Sequence, residues 1–295
     1  MAIRQIGLVG FGEVGSIFGA GLKEKPGIAG VSAWDLKFSD PAERGRASEG
    51  GIRAMRSMAQ LCASADLVIS AVTASNTLAV AQEAAPHMRR GSFFLDLNSA
   101  SPGTKREAAA LIDGAGAHYV EAGVMTSVPP YGIKTPMLLG GAQAGNLATV
   151  LEGWGMKATP VSEKLGVASA IKMCRSVMIK GLESLVIESY ATARAYGVEE
   201  HVLPTLAETF PSIDWNQQGS YFFHRVVQHG KRRAEEMREA ANTVREAGFE
   251  PWMSAATAQK QQWVADQAAR GLFDGLTPAS RWQEYADRLL AERKR

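Results

Sequence analysis

The sequence predicts a chain in two parts: an α/β domain with a mostly parallel sheet, then an all-α domain, the two joined by one long helix. Three observations predict it. An apolar run from Ile3 to Val9 ends in glycines spaced G-x-G-x-x-G, at Gly10, Gly12 and Gly15, with an amphipathic run directly behind. Strand-like and helix-like stretches then alternate as far as Val161. Beyond Ser162 no further strand pattern occurs, and helical periodicity continues to the C-terminus.

The opening stretch reads as strand, tight turn and helix start, the arrangement that binds a dinucleotide. Gly10 allows the turn, Gly12 lets the backbone approach a pyrophosphate, and Gly15 lets the helix pack close. Phe11, Glu13 and Val14 complete the loop and the first turn, whose N–H groups face the phosphates. Val31 to Trp34 reads as the next strand, and Asp35 ends it twenty residues past Gly15. An acid there accepts both ribose hydroxyls of NAD and repels the 2′-phosphate of NADP, although nearby Lys37 weakens that preference and leaves NADP possible. The alternative is an ordinary glycine-rich β–α turn with a surface Asp.

The remaining elements follow in order. Ser57 caps a short helix through Cys62. Asp66 to Val72 reads as a strand covered on both faces, with a continuous apolar run at Leu67 to Ile69 rather than an alternating pattern, and Val72 and Thr73 close it on the cofactor side. A helix over 75–88 leads to a strand over 93–97. Ser101-Pro102 gives an N-cap with proline at the first helical position, opening a helix to about Gly114. Strands are expected over 118–124, 135–139 and 157–161, with a helix over 146–154 between the last two. A single helix from Lys164 to Tyr196, ended by Gly197, then carries the chain into the second part, where Pro204, Pro211, Gly230, 248–251 and 271–278 read as breaks.

Composition excludes several classes. A net charge of +2 from 32 basic and 30 acidic residues argues against a general nucleic-acid binder. The basic run 288–295, interrupted by Glu292, reads as a solvated helix end. Two cysteines, Cys62 and Cys174, exclude a disulfide framework and point to a reducing, cytoplasmic setting; Cys174 reads as core filling rather than a nucleophile. No secretory leader pattern precedes the first strand, no apolar stretch reaches membrane-spanning length, and the five histidines show no metal spacing.

The long helix is mostly apolar, yet Lys172, Ser176, Lys180 and Glu183 recur at i, i+4, i+8 and i+11 along one face. Charges on a buried face are costly unless they meet a cleft or one another. By residue pattern alone Lys172 is either a proton-transfer group or a lysine snorkelling from a packed helix. Asn98 and Ser99 follow a parallel strand at its carboxyl end, where such sheets bind ligands. If one helix spans Gly230, Arg225, His229, Arg232 and Glu236 share a face. They would form either a clamp for an anionic substrate or a solvated surface.

Four motifs make the chain resemble the β-hydroxyacid dehydrogenase family, which includes 3-hydroxyisobutyrate and 6-phosphogluconate dehydrogenases. They are Gly10 to Gly15; Asp96-Leu-Asn98-Ser99-Ala-Ser101-Pro102; Glu121 to Ser127 with Gly140-Gly141; and Gly166 to Lys172. The second is similar to the family's D-x-S-T-x-x-P substrate loop and the fourth to its G-x-x-x-x-x-K. The chain departs where Met125-Thr126-Ser127 replaces Ser-Gly-Gly, where Ser176 replaces asparagine, and where Arg232 to Met237 replaces the Lys-Asp helix. It resembles a less characterised branch with a divergent helical domain.

The resemblance implies oxidation of a CH–OH group with NAD, or NADP, and Lys172 as general acid and base. Asn98, Ser99, Thr126, Ser127 and Ser176, with Arg225, His229 and Arg232, would hold a small anionic substrate. The domains are then 1–162, binding the dinucleotide, and 163–295, an all-helical substrate and dimerisation domain in a homodimer or higher homo-oligomer. Imine or carbonyl reduction on the same fold, and a non-catalytic cofactor-binding relative, are the alternatives. Retention of Lys172 counts against both, because imine-reducing relatives usually carry Asp or Tyr there.

Overall fold

The computed structural model describes residues 3–292. Its strands are β1 (Gln5–Val9), β2 (Gly30–Trp34), β3 (Arg53–Ala54), β4 (Leu67–Ser70), β5 (Phe93–Asp96), β6 (His118–Val124), β7 (Met137–Gly140) and β8 (Ala158–Ser162). They form one sheet in the order β3-β2-β1-β4-β5-β6-β7-β8. Every neighbouring pair is parallel except β6 with β7. The first six in that order form the doubly wound arrangement of dinucleotide-binding sheets, with its switch point between β1 and β4.

The helices are α1 (Glu13–Leu22), α2 (Pro41–Glu49), α3 (Met58–Ser64), α4 (Thr77–Ala84), α5 (Pro102–Gly114), α6 (Ala144–Gly153), α7 (Val167–Tyr196), α8 (Glu199–Thr209), α9 (Trp215–Glu246), α10 (Trp252–Ala269) and α11 (Trp282–Glu292). The central strands are apolar on both faces because both are covered. Leu8, Ile69 and Leu95 enter one core with Phe18 and Leu22 of α1. Their neighbours Val9, Val68 and Phe94 enter the opposite core with Leu61 of α3 and Ile112 of α5. That alternation follows from the two-residue period of a strand.

Local signals behave as their chemistry requires. Ser57 and Ser101 are N-caps, accepting from the backbone N–H of Gln60 and Thr104 at 3.2 Å each. The long helix begins at Val167 rather than Lys164, because Gly166 sits at φ +98°, a conformation no helix continues through. It ends before Gly197, at φ +66°, as the capping pattern predicts. The last two strands start one or two residues later than expected, and β3 carries no strand pattern of its own.

Two expected breaks are corrected. Pro204 lies inside α8, and Gly230 lies inside α9, which runs unbroken for 32 residues. A Cβ on Gly230 would stand 2.8 Å from the Gln261 carbonyl oxygen of α10, so this glycine serves close helix packing rather than a turn.

The chain divides into two compact units, Met1–Cys174 and Arg175–Arg295, with the division inside α7. The change of sequence character at 162 marks the end of the sheet. The second unit has its own core, built on Tyr190, Trp215, Phe223, Trp282 and Tyr285. Tyr190 donates its hydroxyl to the Trp215 carbonyl at 2.9 Å, which satisfies the polar end of a fully buried ring. Both cysteines are free thiols, and Cys174 is exposed rather than packed in a core. No helix among the described residues is long and apolar enough to cross a membrane, and none of them forms a group able to hold a metal ion. Residues 293–295 of the basic run lie outside the described residues.

Candidate active site

The carboxyl ends of β1, β4, β5 and β6 lie on one edge of the sheet, since these strands are mutually parallel. At β1 the three glycines do three different things. Gly10 turns the chain at φ +89°, with the position of a Cβ only 2.5 Å from the Ala71 carbonyl oxygen. A Cβ on Gly15 would stand 2.0 Å from the Gly10 carbonyl oxygen, so α1 can start only against a glycine. A Cβ on Gly12 would meet no protein atom within 4 Å. Packing does not demand glycine there, and the space stands open in front of α1, whose N-cap makes no side-chain hydrogen bond. A dinucleotide phosphate fits that opening.

Asp35 closes the loop from below. Its carboxylate accepts the N–H of Phe11 at 2.6 Å and of Lys37 at 2.8 Å. The Phe11 ring is buried against Phe38, so Phe11 shapes the loop from inside the core. Glu13 is exposed in the first turn of α1, and Val14 packs half-buried against the core. After β4, Val72 donates its N–H to Asn98 Oδ1 at 2.7 Å, and exposed Thr73 accepts from Asn76 at 2.8 Å.

Asn98 is buried. Its amide also donates to Ser70 at 2.9 Å, so the side chain ties the ends of β4 and β5 together. Ser99, one residue on, is half-buried and accepts a 2.6 Å hydrogen bond from Lys172 Nζ in the second turn of α7. The second and fourth motifs, 73 residues apart, therefore meet in one contact. Thr126 and Ser127 follow β6 on the same edge, Thr126 exposed and Ser127 half-buried. Gly123 of β6 lets α7 approach: a Cβ there would stand 2.9 Å from the Ala168 carbonyl oxygen and 3.5 Å from Lys172 Cβ.

The rest of the polar stripe belongs to the second unit, where its members pair. Lys180 is buried, donates to Ser176 at 3.4 Å and forms an ion pair with Glu236. Burial, aided by Arg233, lowers the Lys180 ammonium below the ordinary lysine value against the pull of Glu236 and Glu183. Glu183 binds Arg233 through both its oxygens, and Gln261 of α10 adds a 3.2 Å hydrogen bond. Arg225, His229 and Arg232 do share one face of α9, because the helix is continuous. Arg225 lies over the Tyr221 ring at 5.7 Å, and Arg232 is 3.8 Å from Glu236. Burial, with Arg232, Arg225, Arg233 and His224 around it, pushes His229 down to about 4, so its imidazole is neutral at neutral pH.

Three buried ionisable groups lie behind the edge, none of them singled out by the sequence as a site residue. Lys105, fully buried, forms an ion pair with Asp96 at 2.9 Å. Tyr119 donates its hydroxyl to the other Asp96 oxygen at 2.6 Å. Burial and the neighbouring carboxylates hold that phenol well above its ordinary range, so it remains a donor. Glu121, also fully buried, accepts the N–H groups of Gly166, Ala168 and Ser169 at 2.7, 3.1 and 3.3 Å, capping α7. Lys105 is buried by its pairing with Asp96 across the loop from β5 to α5, and Glu121 by the start of α7.

Sheet order, glycine loop and carboxyl-edge polar groups together define a nicotinamide-dinucleotide-binding protein with an appended helical unit. Residues 5–160 match the NAD binding domain of 6-phosphogluconate dehydrogenase, and 193–264 match a domain of unknown function (DUF1932). The chain belongs to the β-hydroxyacid dehydrogenase family, a family of NAD(P)-dependent oxidoreductases. It is 38% identical to a conserved hypothetical protein from Sinorhizobium meliloti 1021, with 98% of this chain and 96% of that one covered and a TM-score of 0.77. It is 30% identical to a conserved protein of unknown function described as structurally similar to 3-hydroxyacid dehydrogenases, with 90% and 99% covered and a TM-score of 0.69. A 3-hydroxyisobutyrate dehydrogenase from Mycobacterium tuberculosis, solved with L-serine, shares the fold at 18% identity, with 97% and 99% covered and a TM-score of 0.68.

Proposed function

We propose that this protein is an NAD-dependent dehydrogenase acting on the CH–OH group of a small β-hydroxy acid. The observation that carries the reading is the 2.6 Å hydrogen bond from Lys172 to Ser99 at the carboxyl edge of the sheet. Gly10, Gly12 and Gly15, with the first turn of α1, would hold the pyrophosphate, Asp35 the adenosine ribose, and Val72 and Thr73 the nicotinamide side of the loop. When bound, the nicotinamide supplies the hydride acceptor. Lys172 takes the hydroxyl proton as the C–H bond breaks and returns it in the reverse direction. Ser99, accepting from Lys172, turns its own O–H towards the substrate carboxylate, with Thr126 and Ser127 beside it. Asn98 acts through its bonds to Val72 and Ser70, holding that loop against β4.

Ser176, Arg225, His229 and Arg232 of the second unit are further candidates for contact with an anionic substrate. We read the protein as a cytoplasmic homodimer or higher homo-oligomer; its free thiols and the exposed apolar side chains of α7 support this. A panel of hydroxy acids offered with NAD and with NADP tests the reading. Turnover of at least one β-hydroxy acid is expected, with NAD preferred. Lys172→Ala should lower kcat by roughly a hundredfold or more while leaving dinucleotide affinity nearly unchanged. Near-normal turnover in a folded variant would leave Lys172 a structural residue only.

A further inference from the structure

We infer that Lys105 and Glu121 are positioning residues, which set the geometry of the Ser99–Lys172 pair from inside the protein. The inference rests on the roles proposed for Ser99 and Lys172. Asp96 on β5 and Glu121 on β6 are register partners in neighbouring parallel strands. Two carboxylates side by side in the interior repel and are costly to desolvate, so each needs its own counter-group. The two counter-groups differ: Lys105 belongs to α5, the helix that follows the Ser99 loop, and the N–H groups that meet Glu121 belong to the start of α7, the helix that carries Lys172.

Asp96 is neutralised by Lys105. The same ammonium also donates to the Asp96 carbonyl oxygen at 3.0 Å. Lys105 lies in the second turn of α5 and Asp96 ends β5, so this contact closes the intervening loop at both ends. A further bond holds the loop from within: Asp96 accepts the Asn98 N–H at 2.9 Å. Ser99 stands in that loop. Tyr119 occupies the second carboxylate oxygen, which leaves Asp96 no freedom to turn.

Glu121 is neutralised by the N-terminal N–H groups of α7, where a negative charge is most favoured. Gly140 makes room for it, since a Cβ there would stand 2.5 Å from Glu121 Oε1. The cap fixes where α7 begins, and Lys172 lies four residues beyond Ala168, about one helical turn. The two carboxylates therefore tie the Ser99 loop and the Lys172 helix to one register step of the sheet. A buried ion pair adds little net stability over a well-packed apolar pair, so stability alone does not account for Lys105. What the arrangement adds is a Lys172–Ser99 pair whose two members are each anchored by buried contacts.

Two folded variants test this: Glu121→Gln, and the double replacement of Asp96→Asn with Lys105→Met, which removes both charges of the pair together. Circular dichroism and thermal melting establish folding, and dinucleotide titration establishes the cofactor site. Two readouts then follow. One is kcat and KM on the best hydroxy acid of the panel. The other is the pH dependence of Lys172 modification by an amine-reactive reagent, followed by peptide mass spectrometry, which needs no substrate.

The expected result is a kcat lowered roughly tenfold to a hundredfold, with unchanged dinucleotide affinity and a Lys172 labelling midpoint displaced by about half a pH unit or more. Folded variants with wild-type kcat, KM and labelling would overturn the inference. Should Glu121→Gln fail to fold, Tyr119→Phe removes one hydroxyl from the same network. It should shift labelling in the same sense as the double variant, and an unmoved midpoint in both overturns the inference equally. If Lys172→Ala keeps its turnover, the proposed function fails on its own, and labelling still decides whether Lys105 and Glu121 position Lys172.

Discussion

At the scale of single residues, a glycine motif hides distinct requirements that substitution separates. Gly15→Ala places a methyl 2.0 Å from a backbone oxygen that has nowhere to go. It should cost roughly 1–3 kcal/mol in denaturant unfolding, the range for overpacking. Gly12→Ala meets open space, so its stability should stay within about 0.5 kcal/mol of the parent. Its dinucleotide affinity, measured by fluorescence titration, should fall by about tenfold or more. Equal binding by the Gly12 variant would mean that no phosphate occupies that opening. His229 supplies a second residue-level outcome. Its folded value of about 4 lies below the ordinary histidine value, so the unfolded chain binds the proton more strongly. Its contribution is complete above about pH 6.5 and is lost as pH falls towards 4. The fall in Tm over that window should be smaller in His229→Gln than in the parent, and parallel profiles would refute it. The glycine turn and the motifs that hold Asp35, Ser99 and Lys172 stood out in the sequence because their spacing is unusual, and the structure brings Ser99 and Lys172 into contact. Lys105 and Glu121 did not stand out, because charged residues are almost always exposed and their partners here are backbone groups and a neighbouring strand.

At the scale of elements, helix propensity and packing give opposite answers for the same substitution. Replacing glycine by alanine inside a helix gains up to about 1 kcal/mol of propensity. At Gly181 of α7 the nearest atom to a new methyl is Thr257 Oγ1 at 4.0 Å, so the gain should appear as a higher Tm in Gly181→Ala. At Gly230 of α9 the methyl meets the α10 backbone at 2.8 Å, and the overpacking cost of roughly 1–3 kcal/mol should win. Gly230→Ala should therefore melt below the parent, and a rise in both variants would show that α9 and α10 are not in close contact. This pair also explains which elements the sequence revealed. Strand periodicity and serine caps are local signals, so most elements fell within a few residues of expectation. Gly230 was misjudged as a break because its reason lies on another helix, and β3 was missed because two residues carry no period.

At the scale of the whole molecule, the second unit exposes large apolar side chains on α7, with Met178 at 73% and Leu185 at 54% of full exposure, two helical turns apart on one face. A contiguous apolar patch on a helix face is a surface that a second copy can cover. Light scattering on the purified protein should give twice the mass of one chain, and Met178→Glu with Leu185→Glu should shift it towards one. A parent that stays monomeric at tens of micromolar, roughly, would end the dimer reading. The pairing of Asp96 with Glu121 has a different reach. If β6 slipped by one residue against β5, its side chains would exchange faces. Val120 or Ala122 would then lie under the start of α7, and neither can accept an N–H from it. The paired carboxylates thus act as a proofreader of strand alignment. A refolded sample can regain its helices and strands and still carry this error. Recovered turnover, rather than recovered circular dichroism, is the stringent measure that every chain has found its correct alignment.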